Sequence, residues 1–266
     1  MHSSPPPPAA LEAFGVHAVP AALPGGRGLA WRVGDLVFKP ADLAPDELAW
    51  HADVLPTLDS PEIRLSFLQR TVDGGLVVDG WTAWSYLPGE HREGRWSEVI
   101  AVGDVFHRAV AGLPRPAFIA ARTDPWAIGD RVAWGEAPIE PYRDVPHVAR
   151  LAVLRRPVDI GSQLIHGDLA GNVLFSEELP PAVIDLSLYW RPAAFATAIV
   201  VADALVWEDA DESLLDSVGD VEDIGQMLVR ALLYRLVAAS EGGFENDPEV
   251  SDRYLRAVEV AASLMA

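Results

Sequence analysis

The chain contains no cysteine, which removes disulfides, thiolate-bound zinc, iron–sulfur clusters and thiol nucleophiles from consideration. It contains a single lysine, Lys39; every other basic side chain is arginine. Basic residues are scarce as a class, with 20 Lys and Arg against 39 Asp and Glu and a formal charge of −19. A phosphate backbone demands a basic stripe that this balance does not supply, so nucleic acid is not expected as a partner. Acidity of this size suits a cationic ligand, and serves equally to keep a protein soluble. No apolar run reaches the roughly 18 residues that span a bilayer, so no membrane partner is expected. The opening MHSSPPPPAA has neither the cationic nor the apolar region of an export leader. A cytoplasmic location is the expectation, with residues 1–10 as an extended, disordered lead-in. There is no glycine-lysine-serine/threonine P-loop, no G-x-S-x-G elbow and no H-E-x-x-H, so those chemistries lack support.

Half of the 266 residues are apolar, enough to bury the core of one large domain or two small lobes. The first 90 residues read as strands with one helix. GLAWRV and DLVFKP are short runs separated by Gly34-Asp35, a tight hairpin signal. APDELAWHADVLPTL suggests a helix over 45–55, with Pro45 in the first turn, Asp46 and Glu47 at the positive end of the dipole, and Pro56 at the stop. EIRLSFLQR and GLVVDGWTAWSYL are strand-like again, and LPGE at 87–90 interrupts the pattern as a linker would. Helical periodicity then covers 96–112 and, more weakly, 146–155. Three brief extended pieces follow, QLIHG, NVLFS and AVIDL, and then helical stretches at about 193–207, 220–240 and 248–265. The expected architecture is α+β: a β-rich first lobe over 11–88 and a mostly helical second lobe over 89–266.

The chemistry concentrates in LIHGDLAGNVLFSEELPPAVIDLS, residues 164–187. Asp168 lies just past the apolar run QLI, on a turn weakened by Gly167 and Gly171. A carboxylate there is exposed to a substrate and anchored by the strand behind it. Asn172 opens the next extended piece and Asp185 ends another short apolar run. A carboxylate and an amide oxygen at strand ends are the hard oxygen donors that Mg²⁺ accepts while keeping water and substrate phosphates. Asp168 would then be free to orient or deprotonate a hydroxyl. Asp and Asn are also ordinary turn formers after strands, and either alone would mean little.

HGDLAGN followed thirteen residues later by IDL resembles the catalytic and metal-binding segments of the aminoglycoside phosphotransferase family and its choline-kinase-like relatives. The resemblance is nearest to an actinobacterial branch and runs from the glycine-rich turn to about residue 207. It implies the bilobal protein-kinase-like fold, with ATP and Mg²⁺ as cofactors and a small-molecule hydroxyl acceptor of the amino sugar, aminoglycoside or amino alcohol class, and the acidic charge would suit a cationic one. It implies Asp168 as catalytic aspartate, Asn172 and Asp185 as metal ligands, and His166 as a residue that shapes the loop. It places Lys39 at the end of the third strand-like run, on the α/β-phosphates. Glu47, eight residues on, would fix that ammonium, with Asp46 a rival that points differently from the helix. Gly25, Gly26 and Gly28 in the GGRG turn could cover phosphates with backbone amides, although a glycine-rich hairpin alone means only a turn. Ser85, Tyr86 and Leu87 would offer hinge backbone groups to a purine.

Two departures qualify the resemblance. The kinase-type loop places Asn five residues after the catalytic Asp, and here the interval from 168 to 172 is four. One residue fewer can displace the amide by about 3.3 Å. Either Gly171 allows a tighter turn that recovers the geometry, or Asn172 does not reach metal as in the relatives. In the second case the chain would be a nucleotide-binding, pseudokinase-like regulatory protein without turnover. The other departure is IDLS in place of Asp-Phe-Gly, which weakens a protein-kinase reading. His107 reads as a core or interlobe histidine, the nine tryptophans as core and lobe-interface residues, and VWEDADE at 206–212 as a solvated helix end in preference to an amine-binding group of carboxylates.

Overall fold

In a computed structural model, which describes residues 4–24, 28–243 and 248–265, the chain divides into two compact units. The first comprises Met1–Glu90 with Leu174–Asp185, and the second His91–Val173 with Leu186–Ala266. The chain opens with α1 (Pro8–Ala13), β1 (Ala21–Ala22), β2 (Trp31–Val33), β3 (Leu36–Pro40), α2 (Pro45–Val54), β4 (Arg64–Leu65) and β5 (Trp81–Ser85). It continues with α3 (Trp96–Val110), α4 (Phe118–Ala121), α5 (Pro125–Trp134), α6 (Val148–Leu154) and β6 (Gln163–His166). Then come β7 (Val173–Leu174), β8 (Ala182–Val183), β9 (Leu188–Arg191), α7 (Ala193–Trp207), α8 (Leu214–Val218), α9 (Ile224–Glu241) and α10 (Pro248–Ser263).

The first unit is built on an antiparallel sheet of order β1-β2-β3-β5. Val33 pairs with Leu36, so Gly34-Asp35 forms the expected two-residue hairpin turn. Because side chains alternate across a strand, β3 buries Phe38 and leaves Lys39 on the opposite face. Phe38 is fully buried beside Ala10, Phe14, Val33 and Ala83, and the Phe14 ring meets it edge-on at 5.5 Å. This corrects the expectation of a disordered lead-in through residue 10. Pro8 suits the first helical turn, the residues after it are good helix formers, and Ala10 gains burial against the sheet.

The boundary between units also differs from the expected 88/89 division. Residues 174–185 return to the first unit, where β8 pairs in parallel with β4. Glu90 and Phe175 exchange backbone hydrogen bonds of 2.9 Å. Arg64 ties the excursion down, donating from Nε to Pro180 O and from Nη2 to Pro88 O, each at 2.8 Å.

The second unit is mostly helical. Every residue of α7 from Phe195 to Val206 is buried, which makes it the central helix, and α9 packs against α5, α6, α7 and α10. One pair of antiparallel strands, β6 and β9, leads into the loop that holds Asp168, with His166 opposite Leu188. The helix α5 was not anticipated from periodicity. Its ends are well marked: Asp124 Oδ1 accepts from Ala127 N at 3.0 Å, Pro125 sits in the first turn, and Gly135 closes it in a left-handed conformation.

Candidate active site

In the first unit Lys39 is fixed from behind. Its carbonyl accepts from Thr82 Oγ1 at 3.2 Å, and Thr82 Oγ1 in turn accepts from Trp84 Nε1 at 3.1 Å. The ammonium lies 6.0 Å from the Trp84 ring centroid and forms an ion pair with Asp185 Oδ1. Asp185 adopts a positive φ of 49°, which short polar side chains tolerate better than others. Glu47, expected to hold Lys39, is 3% exposed in the first turn of α2, whereas Asp46 faces solvent. In the structure the ammonium meets the Asp185 carboxylate.

Gly25 and Gly26 lie outside the described residues; Gly28 has a positive φ of 67°. At the expected hinge, Ser85 N donates to Phe67 O at 2.9 Å and Tyr86 N to Asp35 O at 2.8 Å. The Tyr86 ring is covered by the Arg32 guanidinium at 3.6 Å. The Tyr86 carbonyl and the Leu87 N–H take no hydrogen bond among the described residues.

In the second unit the loop after β6 folds back on itself. Asn172 N donates to Leu169 O at 2.9 Å, a turn that requires Gly171 at a φ of +80°. The turn brings Asn172 Nδ2 to the Asp168 carbonyl at 2.7 Å and to Asp168 Oδ2 at 3.2 Å. The four-residue interval is thus closed by a tight turn, and among the described residues no hydrogen bond takes up Asn172 Oδ1. Gly167 supplies a close approach: a Cβ there would meet the Tyr189 ring at 2.5 Å.

Histidines anchor the loop from within. The fully buried His166 accepts from Asp168 N through Nδ1 at 3.1 Å. His166 N donates to His107 Nε2 at 3.3 Å. Burial, with a smaller contribution from His166, pushes the His107 pKa down to about 3, so a neutral His107 serves as acceptor. Both rings shape the backbone that presents Asp168.

Two residues that motif reading passed over complete the site. Arg235 on α9 donates through Nη2 to Asp168 Oδ1 at 2.7 Å. Its Nε donates to Asp203 Oδ1 at 2.8 Å, and Nη2 also pairs with Asp203 Oδ2. Burial works against the Arg235 charge, but the Asp203 and Asp168 carboxylates outweigh it and hold the pKa well above the ordinary value. Burial pushes the Asp203 carboxyl up, against the pull of Arg235. The available sequence signal was one carboxylate in AAFATAIVVADALVW and one cation in ALLYRLVAA, since lone charges in apolar helices need partners.

Among the described residues no group of three or more His, Cys, Asp or Glu side chains forms a metal cage. Mg²⁺ binds through one or two protein oxygens and retains waters and substrate phosphates. Among the described residues, no hydrogen bond or ion pair takes up Asp185 Oδ2 or Asn172 Oδ1, oxygens of suitable hardness for such an ion.

No family model matches the chain, and no curated protein matches it. Solved structures do. An aminoglycoside phosphotransferase from Alicyclobacillus acidocaldarius superposes with a TM-score of 0.60 at 15% identity, covering 99% of this chain and 95% of that one. A spectinomycin phosphotransferase in complex with ADP and spectinomycin gives 0.56 at 12% identity, covering 96% of each chain. A choline/ethanolamine kinase family protein from Mesorhizobium loti gives 0.56 at 16% identity, covering 97% of each chain. At these identities the likeness is one of fold.

Proposed function

We propose that this chain, whose protein-kinase-like fold is that of the aminoglycoside phosphotransferases and choline/ethanolamine kinases, transfers the γ-phosphoryl group of ATP to a hydroxyl of a small molecule. The observation that carries the reading is the Asp168–Asn172 turn. A partly exposed carboxylate stands at a strand end, oriented by side-chain donors and backed by buried histidines. Phosphoryl transfer asks the protein mainly for positioning and charge neutralisation. Asp168 aligns the acceptor hydroxyl for in-line attack and accepts its proton. Lys39 gives its ammonium to the α/β-phosphates, exchanging Asp185 for the nucleotide. Asp185 and Asn172 are the residues whose remaining oxygens would hold Mg²⁺, which would supply charge neutralisation on the terminal phosphates. The Tyr86 carbonyl and Leu87 N–H are available for a purine edge, in keeping with the ADP present in the spectinomycin phosphotransferase structure. The acceptor is of the amino sugar, aminoglycoside or amino alcohol class, a reading favoured by the chain's −19 charge.

The test is ATP consumption with Mg²⁺ across a panel of such acceptors, in wild type and Asp168→Asn. Turnover in wild type, lost in Asp168→Asn while nucleotide binding persists, is expected. Equal turnover in the two would remove Asp168 from the chemistry. Nucleotide-dependent stabilisation with no turnover on any acceptor would favour the regulatory alternative.

A further inference from the structure

We propose that Arg235, clamped by Asp203, is the positioning residue for the Asp168 carboxylate; the inference rests on the phosphoryl-transfer reading above and adds to it a device outside the catalytic motif. Asp168 sits on a loop and its side chain is 39% exposed, yet its two oxygens each receive one side-chain donor. Arg235 Nη2 reaches Oδ1 at 2.7 Å and Asn172 Nδ2 reaches Oδ2 at 3.2 Å. The second donor belongs to the same loop and moves with it. The first does not: Arg235 lies on α9, and Asp203, which grips it at two points, lies on the buried helix α7. The carboxylate's orientation is thereby referred to two packed helices.

The guanidinium has little freedom to swing. Its carbon lies 5.5 Å from the Trp126 ring centroid and 5.1 Å from that of Tyr234, and the Tyr234 hydroxyl is paired with that of Tyr189 at 3.0 Å. With one donor on each oxygen, the lone pairs left on the exposed side of Asp168 are the ones that can accept from a substrate hydroxyl. Arg235 touches neither nucleotide nor acceptor in this scheme; it acts through Asp168. Misplacing a reacting group by about 1 Å can cost on the order of 100-fold in rate, so the clamp predicts a large kinetic effect with little effect on nucleotide binding.

The decisive experiment uses the full chain, MgATP and water as acceptor, with intrinsic ATP hydrolysis as the readout. Removing Arg235 alone would strand a buried carboxylate, so the main variant is the double substitution Arg235→Met with Asp203→Leu, which takes out both interior charges. Expected are a melting temperature near that of wild type, an unchanged KM for ATP, and a kcat at least tenfold lower. Arg235→Lys, which keeps the charge but not the fork, is expected to retain more turnover than the double variant. A double variant within threefold of wild-type kcat overturns the positioning role. If the double variant does not fold, Arg235→Lys decides alone, and wild-type turnover in it overturns the role. Asp168→Asn separates the two levels of the argument. Turnover abolished in Asp168→Asn but intact in the Arg235 variants sinks only the clamp, whereas no ATP turnover by wild type with any acceptor removes both.

Discussion

Two ion pairs carry the candidate chemistry, one in each unit, and they are held in opposite ways. Lys39 and Asp185 make a single contact between side chains that are 24% and 53% exposed. Arg235 and Asp203 make a two-point contact between side chains that are 10% and 8% exposed. Exposed pairs contribute at most about 1 kcal/mol, because water and salt compete for both partners. Breaking a buried pair from one side costs about 3–5 kcal/mol, because the survivor is left charged and dry. The first pair costs little to open for a ligand, while the second is suited to hold a fixed geometry.

The largest effect should come from leaving half of the buried pair. Arg235→Met alone is expected to lose about 3–5 kcal/mol of unfolding free energy, and the double variant with Asp203→Leu to recover most of that loss. Denaturant titration at neutral pH checks both. Equal stability in Arg235→Met and wild type would mean that the interior pair is not the rigid element of the contrast.

A second test concerns the histidine behind the same loop. The His107 pKa falls from 6.5 in the unfolded chain to about 3 in the fold, so below pH 6.5 the unfolded state binds a proton that the folded state does not. The stability contributed by neutral His107 is complete above pH 6.5 and is lost as the pH drops toward about 3, with a slope of up to about 1.4 kcal/mol per pH unit. His107→Gln should flatten the stability profile relative to wild type over that window. Parallel profiles would show that His107 titrates normally.

Gly171 gives a smaller effect with a clearer cause. A Cβ there meets nothing within 4 Å, but the φ is +80°, so Gly171→Ala pays only for the left-handed backbone, about 1–2 kcal/mol. If the turn relaxes, Asn172 leaves Asp168 and turnover with MgATP should fall. A fully active Gly171→Ala would show that the four-residue interval tolerates another turn.

What the sequence displayed and what it hid divide along the same line as the two pairs. Lys39, Asp168, Asn172 and Asp185 stand at the ends of short apolar runs, where local pattern and spacing make a residue visible. Asp203 and Arg235 are 32 residues apart, and Arg235 is 67 from Asp168. Their meeting depends on how α7 and α9 pack, which no local pattern encodes. The helix α1 was hidden because its proline lead-in resembles a disordered tail and its burial depends on a sheet that follows it. The return of 174–185 to the first unit was hidden for a related reason: a parallel pairing of β8 with β4 is non-local by construction.

The finest test of the comparison is the smallest in stability. Lys39→Arg keeps the charge and should change unfolding free energy by less than about 1 kcal/mol, since the partner carboxylate is half exposed. The forked guanidinium is longer and can grip a carboxylate at two points, whereas the ammonium is a compact point charge. In Lys39→Arg the pair with Asp185 should therefore tighten, and nucleotide should have to compete against a closed fork. The readout is the ATP-induced rise in melting temperature, which follows RT ln(1 + [L]/Kd). It should shrink in Lys39→Arg, although the unliganded variant melts with wild type. An undiminished shift would mean that the lone lysine is an accident of composition, and that the exposed pair does not exchange with phosphate.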